Sequence, residues 1–203
     1  PVVHGLTVGE YAQMVNGEKW LRNGITCSIK IVPCLNYNHA MRCNLPVTPS
    51  PNLPNFISVY NYPSLCFFEG TDISVGRGTE FPFQMVGAPQ IKERFFSFTP
   101  QSKPGAKNPP HVNQVCFGFD LRRTNTSETG INLSYLLKTY FFFSDTSKYF
   151  LPNGFFDKLA GTDELRKQIA SGKTEKEIKA SWQTDLQTYK TMRKKYLLYK
   201  DFE

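Results

Sequence analysis

The sequence has 203 residues, of which 40% are hydrophobic and 20% charged, and its formal net charge is +7. These proportions are those of a folded domain and argue against a disordered chain. No apolar run reaches the roughly 20 residues that a membrane-spanning helix needs, so no transmembrane segment is predicted.

The first predicted element is a helix that begins at Thr7. Thr7 and Glu10 have the spacing of a capping box, and Gly17 is a candidate stop. Because the sequence starts at Pro1 without a methionine and enters this pattern almost at once, we expect that a segment upstream has been removed.

Strands are predicted in the middle of the chain. Apolar alternation or short apolar runs favour strands at 27–32, 64–68, 94–98 and 115–121. Residues 44–56 and 99–111 each contain four prolines and are predicted to be loops. The apolar run Leu133–Phe143 fits a buried helix or strand.

The last third is predicted to be helical. A helix over 163–171 is capped by Thr162, and Thr174 with Glu177 forms a second capping box. The fold class that follows is α+β, a mixed sheet with packed helices in a single domain that ends in a long amphipathic helix. One apolar stripe of this last helix is predicted to pack in the core, and it consists of Ile178, Trp182, Leu186, Tyr189, Met192 and Tyr196.

Metal and cofactor sites find little support. Five cysteines occur without a CxxC pair, and Cys34 and Cys43 bracket His39 without the second pair that a zinc site needs. Cys66 and Cys116 lie in apolar runs and are predicted to be buried thiols. Neither a phosphate-binding loop nor a dinucleotide fingerprint is present, and we expect no metal and no cofactor.

Residues 69–80 are the segment most suited to ligand binding. This loop contains three carboxylates, Glu69, Asp72 and Glu80, and a single arginine, Arg77, between two glycines. A glycine-flanked guanidinium can grip a carboxylate with paired hydrogen bonds, and carboxylates accept hydrogen bonds from sugar hydroxyls. A self-contained turn, in which Arg77 pairs with Glu69 or Asp72, explains the composition equally well. Three hydroxyls complete the candidate set: Thr71, Ser74 and Thr79.

A second candidate lies in the proline-rich loop. The prolines of Pro49-Ser50-Pro51-Asn52 would hold Ser50 and Asn52 in place at little entropic cost, although a plain connector fits the same composition. His4 precedes a glycine but has no nucleophile in a recognisable setting, and no catalytic triad is found.

Several short motifs occur in a fixed order along the chain. They are His4–Glu10, Pro49–Asn52, Tyr62-Pro63, Phe68–Thr71, Gly76–Thr79, Pro82-Phe83, Gly87–Pro89 and Phe156–Asp163. In this order they resemble the C-terminal domain of the exo-β-N-acetylmuramidase family. The resemblance covers essentially the whole chain, and the order is far more specific than any single motif.

The resemblance implies an activity and an architecture. Such enzymes release N-acetylmuramic acid from the non-reducing ends of peptidoglycan fragments, with the cleft between a Rossmann-like N-terminal domain and this one. All 203 residues would then belong to the C-terminal domain, and the N-terminal domain, absent from this chain, would be its partner. The catalytic glutamate is expected mainly in that domain, and Glu69 is the best candidate in this chain.

Further expectations follow from the resemblance. Ser50, Asn52, Glu69 and Arg77 would line the shared cleft, and this chain alone would be inactive. The ligand would be a peptidoglycan-derived sugar, and the location would be the periplasm, the extracellular space or the cell envelope of a bacterium.

Two other classes of function remain open. A non-catalytic envelope-binding module would use the positive charge, because residues 101–203 hold 17 Lys/Arg against 11 Asp/Glu. A nucleic-acid binder is disfavoured, because the aromatic residues alternate with apolar core positions and not with a basic stripe.

Overall fold

The computed structural model describes residues 2–42 and 45–203. The described chain forms two compact units. One consists of residues 3–42 and 179–203, and the other of residues 45–178. Among these residues, no helix is both long enough and apolar enough to cross a membrane.

The first unit is built on helix α1 (Val8–Gly17). The predicted capping box is confirmed, because the Thr7 hydroxyl accepts from the Glu10 amide and the Glu10 carboxylate accepts from the Thr7 amide. The helix ends at Gly17 as predicted, and a 3-10 turn follows at Arg22–Gly24. The predicted strand at 27–32 is wrong, since this segment is extended but pairs with no strand among the described residues.

Buried charges hold the first unit together. The Glu10 side chain is fully buried, and it accepts hydrogen bonds from the Leu198 amide at 2.7 Å and from His39 Nε2 at 3.0 Å. The buried Arg193 guanidinium donates to both carboxylate oxygens of Asp201, at 3.0 and 2.6 Å, and to the Gly5 carbonyl. Such bonds link the start of the chain to its last eleven residues.

The second unit begins with helix α2 (Phe56–Leu65), which runs into a 3-10 turn at Cys66–Gly70. The strand predicted at 64–68 is therefore wrong. A short run that is apolar on all sides suits a buried helix as well as a buried strand. The helix start was missed because its capping box is formed by Asn55 and Ser58, not by a glutamate.

A three-stranded sheet follows, in the order β1-β3-β2. Strand β3 (Cys116–Asp120) pairs antiparallel with β1 (Met85–Ala88) and with β2 (Ser97–Phe98). The predicted strands at 115–121 and 94–98 are confirmed, the latter in its last two residues, whereas β1 was missed. The sheet is antiparallel and not mixed.

Helix α3 (Ser134–Phe142) settles the helix-or-strand alternative for the apolar run at 133–143. Its Thr139 hydroxyl lies 2.8 Å from the hydroxyl of Tyr149, which is fully buried in the core of the second unit. The rings of Phe67, Phe68 and Phe156 are also fully buried in this unit. Burial raises the pKa of Tyr149, and its hydroxyl donates to the Leu136 carbonyl at 3.2 Å.

Short helices complete the chain. They are α4 (Phe155–Ala160), α5 (Glu164–Ala170), α6 (Glu175–Ser181) and α7 (Gln183–Lys194). The capping box of Thr174 and Glu177 is confirmed. The predicted stripe is interrupted at Trp182, between α6 and α7, and its members in α7 are half-buried. The α+β class is confirmed.

Candidate functional site

Glu69 and Arg77 form an ion pair in the second unit. Glu69 belongs to the 3-10 turn after α2, and Arg77 follows it across the loop, with its Nη2 at 3.3 Å from Glu69 Oε1. Their side chains are 27% and 31% exposed. The ion pair expected for a self-contained turn is therefore present. Both side chains also remain accessible to a ligand from solvent.

Two glycines fix how Arg77 is presented. Gly76 and Gly78 have φ angles of +78° and +81°, a region that residues with a side chain rarely adopt. A Cβ on Gly78 would lie 2.4 Å from the carbonyl oxygen of Gln101, which cannot accommodate such a neighbour without moving. The Gln101 amide also donates to the Gly78 carbonyl at 2.9 Å, so the proline-rich loop 99–111 packs directly on this turn.

Aromatic rings support the ion pair. The Arg77 guanidinium carbon lies 5.3 Å from the centre of the Phe83 ring, and the Tyr62 ring packs against Phe83 with centroids 5.0 Å apart. Burial, and then the negative charge of Glu69, raise the pKa of Tyr62. Tyr62 is 39% exposed, so it offers a neutral hydroxyl beside the pair. Sequence reasoning did not name Tyr62 or Phe83 as site residues, although both lie in the family motifs.

The three loop hydroxyls are engaged with the backbone of the turn. Thr71 Oγ1 donates to the Phe68 carbonyl at 2.8 Å, and Thr79 Oγ1 donates to the Gly76 carbonyl at 2.8 Å. Ser74 is fully buried, and its Oγ accepts from the Gly76 amide at 3.2 Å. These bonds hold the shape of the loop around Arg77. The predicted contact of these hydroxyls with a sugar stays a prediction.

Asp72 pairs with a histidine that sequence reasoning missed. His111 Nε2 donates to the Asp72 carbonyl at 3.0 Å and lies 3.5 Å from Asp72 Oδ1. Desolvation raises the pKa of Asp72, and the nearby His111 opposes this shift. His111 lies 39 residues away in a loop and has a φ of +57°, so no local pattern could have indicated the pair.

Ser50 and Asn52 lie in a separate tight turn. The Ser50 hydroxyl accepts from the Asn52 amide at 3.2 Å, and Asn52 Nδ2 donates to the Gly105 carbonyl at 3.1 Å. Neither side chain bonds to Glu69 or Arg77 among the described residues. Residues 49–52 are thus held against loop 99–111, which also packs on Gly78.

The remaining predicted features are structural. His4 Nδ1 accepts from the Leu6 amide at 3.2 Å, and burial lowers the His4 pKa. Cys66 and Cys116 are buried free thiols, as predicted, and burial raises their pKa to about 11 and about 12. In the part of the chain that the structure describes, no cluster of three metal-ligating side chains occurs. Cys43 lies outside the described residues.

Comparisons with family models match both parts of the chain. Residues 60–199 match "Exo-beta-N-acetylmuramidase NamZ, C-terminal", and residues 1–57 match "Exo-beta-N-acetylmuramidase NamZ, N-terminal". The N-terminal family region is therefore represented here by residues 1–57. This finding corrects the prediction that all 203 residues belong to the C-terminal domain and that the N-terminal domain is absent. A Rossmann-like fold of the N-terminal domain stays a prediction.

A curated relative and two crystal structures are similar. The chain is 33% identical over 225 residues to the peptidoglycan β-N-acetylmuramidase NamZ of Bacillus subtilis, covering 98% of this chain and 51% of that protein. A DUF1343 family protein of Bacteroides fragilis matches at 48% identity with a TM-score of 0.93, over 98% of this chain and 57% of the other. A second such protein, at 20% identity and a TM-score of 0.72, shows the fold alone. The chain thus spans about half the length of the curated relative.

Proposed function

Because the chain belongs to the exo-β-N-acetylmuramidase NamZ family, we propose that it forms part of a peptidoglycan glycosidase in which loop 69–80 lines one wall of the sugar-binding cleft. The proposed reaction releases N-acetylmuramic acid from the non-reducing ends of peptidoglycan fragments. Glycosidic bonds are usually cut between two carboxyl groups, one of which protonates the leaving oxygen. We expect these groups mainly outside this chain, with Glu69 as the best candidate within it.

The accessible ion pair of Glu69 and Arg77 is the observation that carries this proposal. The contact with Glu69 uses one terminal nitrogen of Arg77, at 3.3 Å, and a guanidinium has five N–H donors. Arg77 can therefore bind a second carboxylate while Glu69 keeps it oriented. N-acetylmuramic acid carries such a group, its lactyl carboxylate, which N-acetylglucosamine lacks.

The surroundings of the pair suit a sugar. The Phe83 ring restricts the guanidinium from one side, so a ligand would approach from the exposed side. Tyr62 offers a neutral hydroxyl that can donate to or accept from a sugar hydroxyl. Asp72, also partly exposed, offers carboxylate oxygens next to His111.

Substitution of Arg77 in the full-length enzyme tests the proposal. We expect Arg77→Ala to lower kcat/KM for a chromogenic N-acetylmuraminide by about 100-fold, because a charge-assisted contact with the lactyl carboxylate is lost. Arg77→Lys should recover part of this loss, since it keeps the charge but not the paired donors. Activity is measured in parallel on the matching N-acetylglucosaminide, which lacks the carboxylate.

The control is Arg123→Ala, which removes another exposed arginine of the same unit. It should leave both activities unchanged. Equal losses on the two glycosides after Arg77→Ala would contradict lactyl recognition, and no loss on either would remove loop 69–80 from the cleft.

The activity is proposed for the longer protein and not for this chain alone. We expect the 203-residue chain to release no sugar, because the second wall of the cleft and the main catalytic carboxyl groups would be missing. The proposed location is the periplasm, the extracellular space or the cell envelope of a bacterium, where peptidoglycan fragments occur. Fractionation of cells with an antibody to the chain would test this location.

A further inference from the structure

His111 joins loop 99–111 to the chain just before Arg77. Its Nε2 lies 3.0 Å from the carbonyl oxygen of Asp72 and 3.5 Å from Asp72 Oδ1. A carbonyl oxygen can only accept a hydrogen bond, so Nε2 carries the proton in this contact. The His111 side chain is only 10% exposed, and a buried N–H that loses its acceptor costs free energy. The contact is therefore costly to break.

The backbone of His111 has a conformation that favours glycine. Its φ is +57°, in the left-handed region, which residues with a side chain rarely adopt. Backbone strain of this kind persists where the surrounding structure holds the residue in place, and it is common at functional sites. A residue with a side chain at this strained position indicates that the side chain is used there, in its contact with Asp72.

A second contact between the two loops lies just after Arg77. The Gln101 amide donates to the Gly78 carbonyl at 2.9 Å. A Cβ on Gly78 would also lie 2.7 Å from Cγ of the buried Pro109, so the two loops are in close contact here. Loop 99–111 therefore holds the turn on both sides of Arg77.

The base of loop 99–111 keeps these two contacts together. The Asn113 amide donates to the carbonyl of the buried Pro100 at 2.7 Å, and the Gln114 amide donates to the His111 carbonyl at 3.0 Å. The four prolines of the loop restrict its backbone further. A loop that is closed and stiff in this way can act as a fixed support for the turn that it contacts.

We propose that His111 is a positioning residue, which holds loop 69–80 against loop 99–111 and so fixes Arg77 where it binds the substrate carboxylate. His111 then acts through Arg77 and touches no sugar, a role that rests on the proposed function. Without the bond from His111, the turn would stay fixed to strand β1 through Ser74 but would be released from loop 99–111 ahead of Arg77.

Two amide substitutions of His111 form a matched pair for the test. The side-chain nitrogen in His111→Gln lies as many bonds from Cα as Nε2 does, so it can replace the donor to Asp72. In His111→Asn it lies one bond closer, in the place of Nδ1, and falls short of Asp72. Asparagine adopts the left-handed backbone more readily than glutamine does, so a recovery by glutamine cannot come from the backbone.

Activity of the full-length protein gives the first measurement. His111→Asn should lower kcat/KM for a chromogenic N-acetylmuraminide by at least about tenfold, because a small misplacement of a binding group is costly, and His111→Gln should recover most of this loss. In an Arg77→Ala background, His111→Asn should cost less than about twofold further, since a residue that acts through Arg77 then has nothing to position. A purely structural role would instead give losses that multiply.

Hydrogen–deuterium exchange of the same proteins reports the positioning without any sugar. His111→Asn should speed exchange of the Gln101 amide by at least about tenfold, because the remaining bond between the loops opens more often, and His111→Gln should not. The control is Lys103→Ala, which removes the ion pair of Lys103 with the exposed Glu80 between the same two loops. It should change neither exchange nor activity, because surface ion pairs contribute little.

A second variant without the donor, His111→Phe, is measured alongside, because it keeps a ring and serves if His111→Asn does not fold. Unchanged exchange at Gln101 in these variants would overturn the proposal, as would a loss that His111→Gln does not recover or losses that multiply with Arg77→Ala. Failure of the proposed function looks different. In that case the unsubstituted protein releases no N-acetylmuramic acid, or Arg77→Ala keeps full activity, while the exchange at Gln101 still decides whether His111 holds the loop.

Discussion

At the residue scale, steric constraints are tighter at the glycines around Arg77 than at the charged residues. Gly78 combines a φ of +81° with contact to the backbone of Gln101 on the neighbouring loop. Either feature alone would favour glycine, and together they lock the turn that presents Arg77. The shape of the candidate site thus depends on a residue that has no side chain.

Gly78→Ala should destabilise the second unit by more than backbone strain alone explains. A left-handed alanine costs about 1–2 kcal/mol, and displacement of Gln101 adds to this cost. Gly130 is a matched control, since its φ is +86° and a Cβ added there would have no atom within 4 Å. Denaturant unfolding should show a larger loss for Gly78→Ala than for Gly130→Ala, and equal losses would show that the loop contact costs nothing.

From the sequence, two interpretations of Glu69 and Arg77 remained open, a ligand-binding site and a self-contained turn. The glycine spacing and the single arginine were visible in the sequence, and the structure shows that the pair forms while both side chains stay partly exposed. Tyr62, Phe83 and His111 were missed for a common physical reason. Their positions depend on tertiary contacts between residues far apart in the chain, 39 positions in the case of His111, which no helical or strand period encodes.

At the element scale, the sequence correctly predicted helix starts that depend on hydrogen bonds between nearby residues. Capping boxes at Thr7 and Thr174 fixed two helix starts, because each is a closed set of hydrogen bonds within four residues. The strand prediction at 64–68 was wrong, because a fully buried segment is apolar on all sides and has no hydrophobic period that distinguishes a helix from a strand. The segment at 27–32 has the alternation of a strand but lacks a partner among the described residues.

The start of α2 offers a test at this scale. The Asn55 side chain accepts from the Ser58 amide at 3.0 Å, and its Nδ2 donates to the buried Gln84 at 3.2 Å. We expect Asn55→Ala to lower the free energy of unfolding by about 2 kcal/mol, from a lost cap and an unsatisfied buried acceptor.

Asn55→Ser separates these two contributions. Serine restores the cap but does not reach Gln84 in the same way, so about half of the loss should be recovered. Both variants are compared by denaturant unfolding followed by far-ultraviolet circular dichroism. Full recovery by serine would show that the bond to Gln84 contributes nothing to stability.

At the scale of the whole molecule, the two family regions and the two compact units divide the chain differently. The N-terminal family model ends at residue 57, whereas the first unit contains residues 3–42 together with 179–203. The end of the chain thus folds with its beginning, through Arg193, Asp201 and Leu198. This division could not be foreseen from the sequence, because it depends on bonds between residues more than 180 positions apart.

The buried Glu10 makes the stability of the first unit depend on pH. Burial opposes its ionisation, but hydrogen bonds from the Thr7 and Leu198 amides and from His39 outweigh this effect and lower its pKa below 4.5. A lowered carboxyl pKa contributes stability above pH 4.5, and this contribution is lost as the pH falls further through the folded-state pKa. Asp201 behaves in the same direction, because the bond from Arg193 lowers its pKa below 3.8.

Glu10→Gln should therefore cost about 2 kcal/mol at pH 7, because charge-assisted bonds to a buried carboxylate are lost, and much less at about pH 3. Both tryptophans, Trp20 and Trp182, lie in the first unit, so their fluorescence during denaturant unfolding follows this unit specifically. Asp185→Asn, at an exposed site on α7, is the control and should shift the curve little at either pH. A Glu10→Gln deficit that is the same at both pH values would mean that the ionised carboxylate is not what joins the start of the chain to its end.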